Sequence, residues 1–222
     1  SIPQPDRALG FQSGQQPYLF SSRGCTYRCY FCASSNYWKK VRFHSTRRVA
    51  FEIQSILAFQ PEVRVISFWD DLFIANRRRF DDLAVILHDY AVTVGLSFTG
   101  HIRANLLDEQ LCESLRHANI RNISFGAESG SDRILKKLKD RVSSVAKNQK
   151  ALDLCQRFDL LSSCGFVLGH HDENEEDVLA TYNFILNNYA SHKIQSHEIT
   201  ILTPMPGTAL WQWAIDRGMI DL

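Results

Sequence analysis

Val63-Arg64-Val65-Ile66-Ser67-Phe68-Trp69-Asp70-Asp71 is a β-branched and aromatic run that ends in two acids, and the pattern after it changes period. Phe80, Leu83, Leu87, Tyr90 and Val94 recur at helical spacing and share one face, wide enough to lie on a sheet. A strand followed by such a helix is a βα unit, and the unit repeats. Strands are predicted at Tyr18 to Ser21, Val63 to Phe68, Gly95 to Thr99, Asn122 to Phe125, Ser163 to Leu168 and Glu198 to Leu202. Helical stripes fall between them: Val49, Ile53, Ile56 and Leu57; Leu111 and Leu115; Ala151, Leu154, Cys155 and Phe158; Val178, Tyr182, Ile185 and Tyr189. Asn174 reads as the N-cap of the last, with Glu175, Glu176 and Asp177 at its positive end. The expected class is α/β. Right-handed connections curl such strands into a barrel, and a full eightfold barrel needs about 250 residues. Six units in 222 residues imply a partial (β/α)6 TIM-type barrel, an open parallel sheet with helices outside.

In this architecture the residues that follow each strand gather at one end, where ligands bind. The chemistry-bearing residues sit there. A cysteine loop follows the first strand and Trp69-Asp70-Asp71 the second; His101 and Arg103 follow the third, Glu128 and Ser129 the fourth, His170 and His171 the fifth, and 204–208 the sixth.

Lysine and arginine (25) balance aspartate and glutamate (24), so a nucleic-acid partner is not expected and any charged partner must be met locally. No apolar run approaches the roughly 20 residues that span a bilayer, and the start lacks the order of a signal peptide. A cytoplasmic protein is expected. The opening Ser1-Ile2-Pro3-Gln4-Pro5 is polar and proline-bearing, so residues 1–16 are expected to be a linker from an upstream domain and 17–222 the catalytic core.

Of six cysteines, three crowd into Gly24-Cys25-Thr26-Tyr27-Arg28-Cys29-Tyr30-Phe31-Cys32. That CxxxCxxC spacing suits a cluster or metal over separate disulfides. Haem attachment needs His after the CxxC, where Ala33 stands; zinc wants a fourth ligand nearby, and His44 lies well beyond the loop. A redox pair of Cys29 and Cys32 leaves Cys25 without a role. A 4Fe-4S cluster normally takes four cysteines, so three ligands leave one iron open for chemistry. Cys112, Cys155 and Cys164 read as small buried apolar residues.

CxxxCxxC with an aromatic, Phe31, before the last cysteine resembles the signature of the radical S-adenosylmethionine (SAM) superfamily, along essentially the whole chain. The resemblance implies that SAM chelates the open iron and that an electron from the reduced cluster splits it to a 5'-deoxyadenosyl radical, which abstracts hydrogen from a small-molecule or biosynthetic-intermediate substrate. It also implies a reductase or flavodoxin-type electron donor. Asp70 and Asp71 occupy the place of the family's Gly-Gly-Glu stretch and are expected to accept from the SAM ammonium; the pair also reads as an acidic helix lead. Arg103 is expected to fork onto the SAM carboxylate. Phe125-Gly126-Ala127-Glu128-Ser129 resembles the family's Phe-Gly-x-Glu-Ser, with Glu128 and Ser129 holding polar SAM groups. Gly169 and Glu173 match a Gly-x-Pro-Gly-Glu-Thr stretch in which His171 and Asp172 replace Pro and Gly. Thr203-Pro204-Met205-Pro206-Gly207-Thr208 resembles the strand-ending Thr-Pro-x-Pro-Gly-Thr, whose exposed amides read an adenine edge.

Phe68-Trp69-Asp70-Asp71-Leu72-Phe73, the Ser22-Arg23-Gly24-Cys25 lead-in and the Thr203 turn together resemble the cobalamin-binding branch, many of whose members are methyltransferases. The Asp-x-His-x-x-Gly motif of that branch's cobalamin domain does not occur in the sequence, so cobalamin is expected to be bound outside it. The alternatives are an oxidation, cyclisation or sulfur insertion without cobalamin, and a metal-binding interaction module without turnover.

Overall fold

The computed structural model describes residues 5–7, 15–139 and 141–221. Its strands are β1 (Tyr18–Leu19), β2 (Ser22–Arg23), β3 (Arg42–Phe43), β4 (Val65–Phe68), β5 (Ser97–Ile102), β6 (Ile120–Glu128), β7 (Leu161–Leu168) and β8 (Ser196–Ile201). Its helices are α1 (Ser34–Tyr37), α2 (Thr46–Phe59), α3 (Arg77–Val94), α4 (Glu109–His117), α5 (Asp132–Leu138), α6 (Val145–Arg157), α7 (Glu175–Ala190) and α8 (Ala209–Ile215). One sheet runs β1-β4-β5-β6-β7-β8, every pairing parallel and each strand beside the next in the chain. Such single-direction winding makes a barrel wall, and β1 and β8 remain unjoined edges, so the barrel is partial and open. Most of the expected linker, residues 1–4 and 8–14, lies outside the described residues.

Alternation along the strands divides the sheet into two faces. Ile66, Phe68, Phe98, Ile102, Ile123, Phe125 and Phe166 are buried against Val49, Ile53, Leu83, Leu87, Leu111 and Ala151 of the helices. Losing a buried Phe of this kind costs about 3–5 kcal/mol. The opposite, concave face carries Ser67, Thr99, His101, Asn122, Ser124 and Ser163, paired across strands: Ser67 with Thr99 (2.8 Å), His101 with Ser124 (2.9 Å), Ser163 with Ser196 (2.7 Å).

All six expected strands form, with shifted ends. Gly95 belongs to the end of α3, where its left-handed φ of 75° closes the helix and its N–H donates to the Ala91 carbonyl. Cys112, Cys155 and Cys164 are buried, as expected. The expected α7 stripe is corrected. Ile185 is buried, but Val178, Tyr182 and Tyr189 are exposed, and the covered face is Asp177, Thr181, Phe184, Ile185 and Asn188. Polar bonds set that rotation: Asp177 accepts from Ser131 and Arg133, Thr181 from Gly130 N–H, and Asn188 exchanges bonds with Gln149. Asn174 caps α7 in a reciprocal capping box with Asp177.

The segment after β6 crosses α7 closely. A Cβ on Gly130 would stand 2.4 Å from the Ala180 carbonyl oxygen, and backbone cannot swing away as a side-chain tip can. Gly130→Ala is therefore expected to cost about 1–3 kcal/mol, read by calorimetry as a Tm fall of about 2–4 °C per kcal/mol; an unchanged Tm would show that this approach is slack.

Candidate functional site

The cysteine loop, residues 24–41, spans the antiparallel pair β2–β3 and is tied down at its root by two carboxylates. Asp70, at the end of β4 and 3% exposed, accepts from Ser21 N–H (2.7 Å), Ser22 N–H (2.8 Å) and Ser21 Oγ–H (2.6 Å). Burial pushes its carboxyl up to about 6 against those bonds, so at neutral pH it is an ionised acceptor. Asp71 accepts from Gly24 N–H (2.7 Å) and from the Ser34 hydroxyl. Both Asp70 oxygens already accept from the chain where the residue borders the main cleft, so its visible task is to brace the loop. Asp71 braces the loop too, but is exposed and faces the main cleft.

Further along, Tyr30 N–H donates to the Leu138 carbonyl (2.9 Å), and the Tyr30 carbonyl accepts from Leu210 N–H (3.2 Å). Phe31 packs on the cluster of Ile134, Leu138 and Val167, as does Leu202, and Asn36 donates to the Gly207 carbonyl. The loop is therefore gripped by the end of β4, by α5 and by the turn into α8.

Cys25, Cys29 and Cys32 are half-buried on it, and all are free thiols. Burial raises the Cys25 pKa, and pushes Cys29 up to about 11 while Lys139 and Arg103 draw it down. Arg103, 6% exposed, stacks its guanidinium 3.5 Å from the Tyr27 ring centre, donates to Ser143 Oγ (2.7 Å) and points Nη1 at Cys29 Sγ (3.8 Å). Lys139 reaches the Gly126 carbonyl (2.6 Å) and Glu128 (3.2 Å). Cations beside desolvated sulfurs favour thiolates, the ligand form. Among the described residues, His170, His171 and Asp172 bring donor atoms within 4.8 Å of one another. Three sulfur donors on one loop, with no fourth cysteine on it, suit three corners of an iron–sulfur cube and leave one iron open.

The remaining expected residues divide. Glu128 sits with a left-handed φ of 62°, a strained state for a side-chain-bearing residue, and a Cβ on Gly126 would collide with its carboxylate. Ser129 is corrected: it is 1% exposed and bonded to Thr181 Oγ1 (3.1 Å) and Ser131 N–H (3.1 Å), a link between β6 and α7 with no face toward a ligand. Gly169 is exposed at φ 94°, its N–H held by Glu173 (2.6 Å), and Thr203 is exposed after β8. His170 is buried, its Nδ1 accepting from Asp172 N–H (3.1 Å), while His171 stacks between His170 (4.1 Å) and Trp213 (3.9 Å). With Asp172 paired to Lys137, these three are built as packing around Tyr30, not as an ion site.

Beside the loop, a cleft of about 580 Å³ opens on the concave face, lined by Asp71, Thr99, His101, Asn122, Ser124 and Ser163 among others. Burial and then Lys139 lower the His101 pKa, so that imidazole is neutral at physiological pH. The hydroxyl rows, Tyr27 and Lys139 were not foreseen in the sequence. A period-two reading of strands such as 65–68 would have exposed the rows; nothing local marks Lys139, which arrives through α5.

A family model described as the radical SAM superfamily matches residues 19–185. An uncharacterized methyltransferase of Pyrococcus horikoshii is 32% identical over 203 residues, covering 91% of this chain and 42% of that protein. By structure, the radical S-adenosylmethionine methyltransferase TsrM of Kitasatospora setae, solved with cobalamin and a [4Fe-4S] cluster, superimposes with a TM-score of 0.78 at 16% identity, over 92% of this chain and 37% of that one. The cobalamin-dependent S-adenosylmethionine radical enzyme OxsB matches at 0.70 and 18%, over 93% and 36%. At these identities the two structures speak for the fold, and the chain spans about two fifths of the relatives it matches.

Asp70→Ala strands two buried amides and a hydroxyl, each worth roughly 1–3 kcal/mol when unsatisfied. The variant is expected to melt several degrees lower and to take up less iron per chain on anaerobic reconstitution, by metal analysis; full iron loading would mean the brace does not shape the loop.

Proposed function

As the chain belongs to the radical SAM superfamily, we propose that Cys25, Cys29 and Cys32 hold the family's 4Fe-4S cluster and that the neighbouring strand ends hold SAM. The observation that carries this is three half-buried thiols on one braced loop, flanked by Arg103 and Lys139, beside a polar cleft of about 580 Å³. When bound, the cluster supplies the electron that splits SAM to a 5'-deoxyadenosyl radical, the hydrogen-abstracting agent.

The chain's residues then bind, orient and exclude solvent. Arg103 is the cation beside Cys29 and takes the SAM carboxylate. Asp71 accepts from the ammonium, and Glu128, turned toward the loop by its backbone, accepts from ammonium or ribose hydroxyls. The exposed backbone at Gly169 and Thr203 meets the adenine. Phe31 packs under the loop and keeps Cys32 in place. The polar rows of Ser67, Thr99, Asn122 and Ser163 and the neutral His101 line the space for a small-molecule substrate.

Methyl transfer with cobalamin is the reaction proposed. The likeness to TsrM and OxsB and to the Pyrococcus methyltransferase supports it, with cobalamin bound by a region outside this chain. No helix among the described residues is long and apolar enough to cross a membrane, and six free thiols support a reducing, cytoplasmic setting.

Reconstituted protein given SAM and dithionite is expected to release 5'-deoxyadenosine, measured by chromatography. Cys29→Ala should lower that at least 100-fold with the circular dichroism spectrum intact. Cys155→Ala, whose side chain is fully buried in the helix-side core, should keep cleavage and lose about 1 kcal/mol of stability. Retained cleavage in the Cys29 variant would sink the assignment.

A further inference from the structure

Arg103 carries its charge at 6% exposure, and a buried cation is tolerable only where its N–H groups find partners. Those partners form a closed ring. Arg103 Nε–H donates to Asn105 Oδ1 (3.1 Å), the Asn105 amide donates to the Tyr27 hydroxyl (3.3 Å), and the Tyr27 ring covers the guanidinium with 3.5 Å between ring centre and Cζ. Nη2 donates to Ser143 Oγ (2.7 Å), in the segment that leads into α6. Nη1, the other end of the fork, faces Cys29 Sγ at 3.8 Å.

Tyr27 belongs to the cysteine loop itself, between Cys25 and Cys29, and it acts on both neighbours. Burial pushes the Cys25 thiol up, and the Tyr27 backbone N–H donates to that sulfur and draws it back. The side chain meanwhile lies flat on the guanidinium that points at Cys29. One residue thus places an amide on one sulfur and a cation beside another. The two kinds of contact on Arg103 differ in what they fix. A hydrogen bond to Asn105 or Ser143 sets the direction of one N–H, whereas a flat ring against a flat guanidinium sets the plane in which all five donors lie.

We propose that Tyr27 is a positioning residue, whose ring holds the Arg103 guanidinium in the plane that aims Nη1 at Cys29 and at the carboxylate of a bound SAM. The proposal rests on the cluster reading of Cys25, Cys29 and Cys32 and on Arg103 as the carboxylate partner. A desolvated cation–π contact is strong enough to change an affinity by about tenfold. A cation held beside a ligand sulfur also favours the reduced, more negative cluster, because charge and hydrogen bonding at the sulfurs set the potential. Without the ring, the long arginine side chain swings out of that plane and its charge leaves the sulfur.

The test compares Tyr27→Leu with Tyr27→Phe in the full-length protein, reconstituted anaerobically. Three quantities are measured: iron per chain, SAM affinity by equilibrium dialysis, and the cluster midpoint potential by titration followed with electron paramagnetic resonance. The Leu variant is expected to load iron as the wild type does, to bind SAM about tenfold more weakly and to show a lower potential. The Phe variant keeps the ring and should stay within twofold of wild-type affinity. Wild-type affinity and potential in the Leu variant would overturn the proposal, as would equal damage from Phe, which places the role in the hydroxyl. A readout on the apo protein keeps the clamp testable if the Leu variant takes up no iron. With isotope-labelled arginine, the Arg103 Nε–H resonance should be displaced by the Tyr27 ring current, lose that displacement in Tyr27→Leu and keep it in Tyr27→Phe. No displacement in the wild type overturns the clamp. A displaced resonance in wild-type protein that assembles no cluster sinks the cluster reading instead, and the positioning role with it.

Discussion

The carboxylates of Asp70 and Asp71 join the end of β4 to the root of the cysteine loop, and the rest of the site depends on that junction. The eight-residue CxxxCxxC spacing alone does not hold three thiols at one site; an unbraced loop of polar and aromatic residues samples many states and loses them at an entropic cost of about 1–2 kcal/mol per residue. Here the loop's first turn is fixed by the Asp70 bonds to Ser21 and Ser22 and the Asp71 bond to Gly24. Gly24 itself needs a left-handed φ of 94°, and a Cβ there would press on the Lys40 carbonyl and the Trp38 side chain at 3.0 Å. Asp70, which a sequence reader assigns to a ligand, spends its oxygens on the protein's own amides, and Asp71 braces the same loop while still facing the cleft.

Much of the architecture was legible because alternation and helical period are local. The six strands and the inward stripes of α2, α4 and α6 follow from spacing alone, as does that of α3 as far as Tyr90; Val94, at the last residue of α3, is exposed. The α7 face did not, because three of its covered positions are polar, and a pattern read from apolar residues rotates toward Val178, Tyr182 and Tyr189. Asp177, Thr181 and Asn188 are covered because partners far off in sequence, at Ser131, Gly130 and Gln149, satisfy them, and no local rule carries that information. The same blindness explains Ser129, whose hydroxyl is consumed by Thr181. The β2–β3 pair escaped notice because each of its strands is two residues long.

With most of its buried apolar residues on the helix-facing side, the sheet leaves the other side free to be polar. Ser67, Thr99, Asn122, Ser124 and Ser163 line the concave side and bond laterally, so the wall needs no hydrophobic cover and stays open to a ligand. A closed eightfold barrel would fill that space with interdigitated side chains. Six strands leave a polar trough instead, and the partial barrel is in that sense the reason there is room for a cofactor and a substrate together.

Electrostatics complete the division. Thiolates in a half-buried loop are unfavourable unless positive charge stands close, and Arg103 and Lys139 supply it from opposite sides, one carried by the end of β5 and the other by the end of α5. Lys139 is itself nearly buried, at 7% side-chain exposure, which its bonds to Glu128 and the Gly126 carbonyl make tolerable. Glu128 reaches that position only by adopting a left-handed backbone, with Gly126 two residues earlier leaving space for its carboxylate. Strain at Glu128, the glycine before it, the buried lysine and the thiol it faces therefore form one chain of cause. The irregular end of β6 thereby holds the buried Lys139 near Cys29, where its charge favours the thiolate.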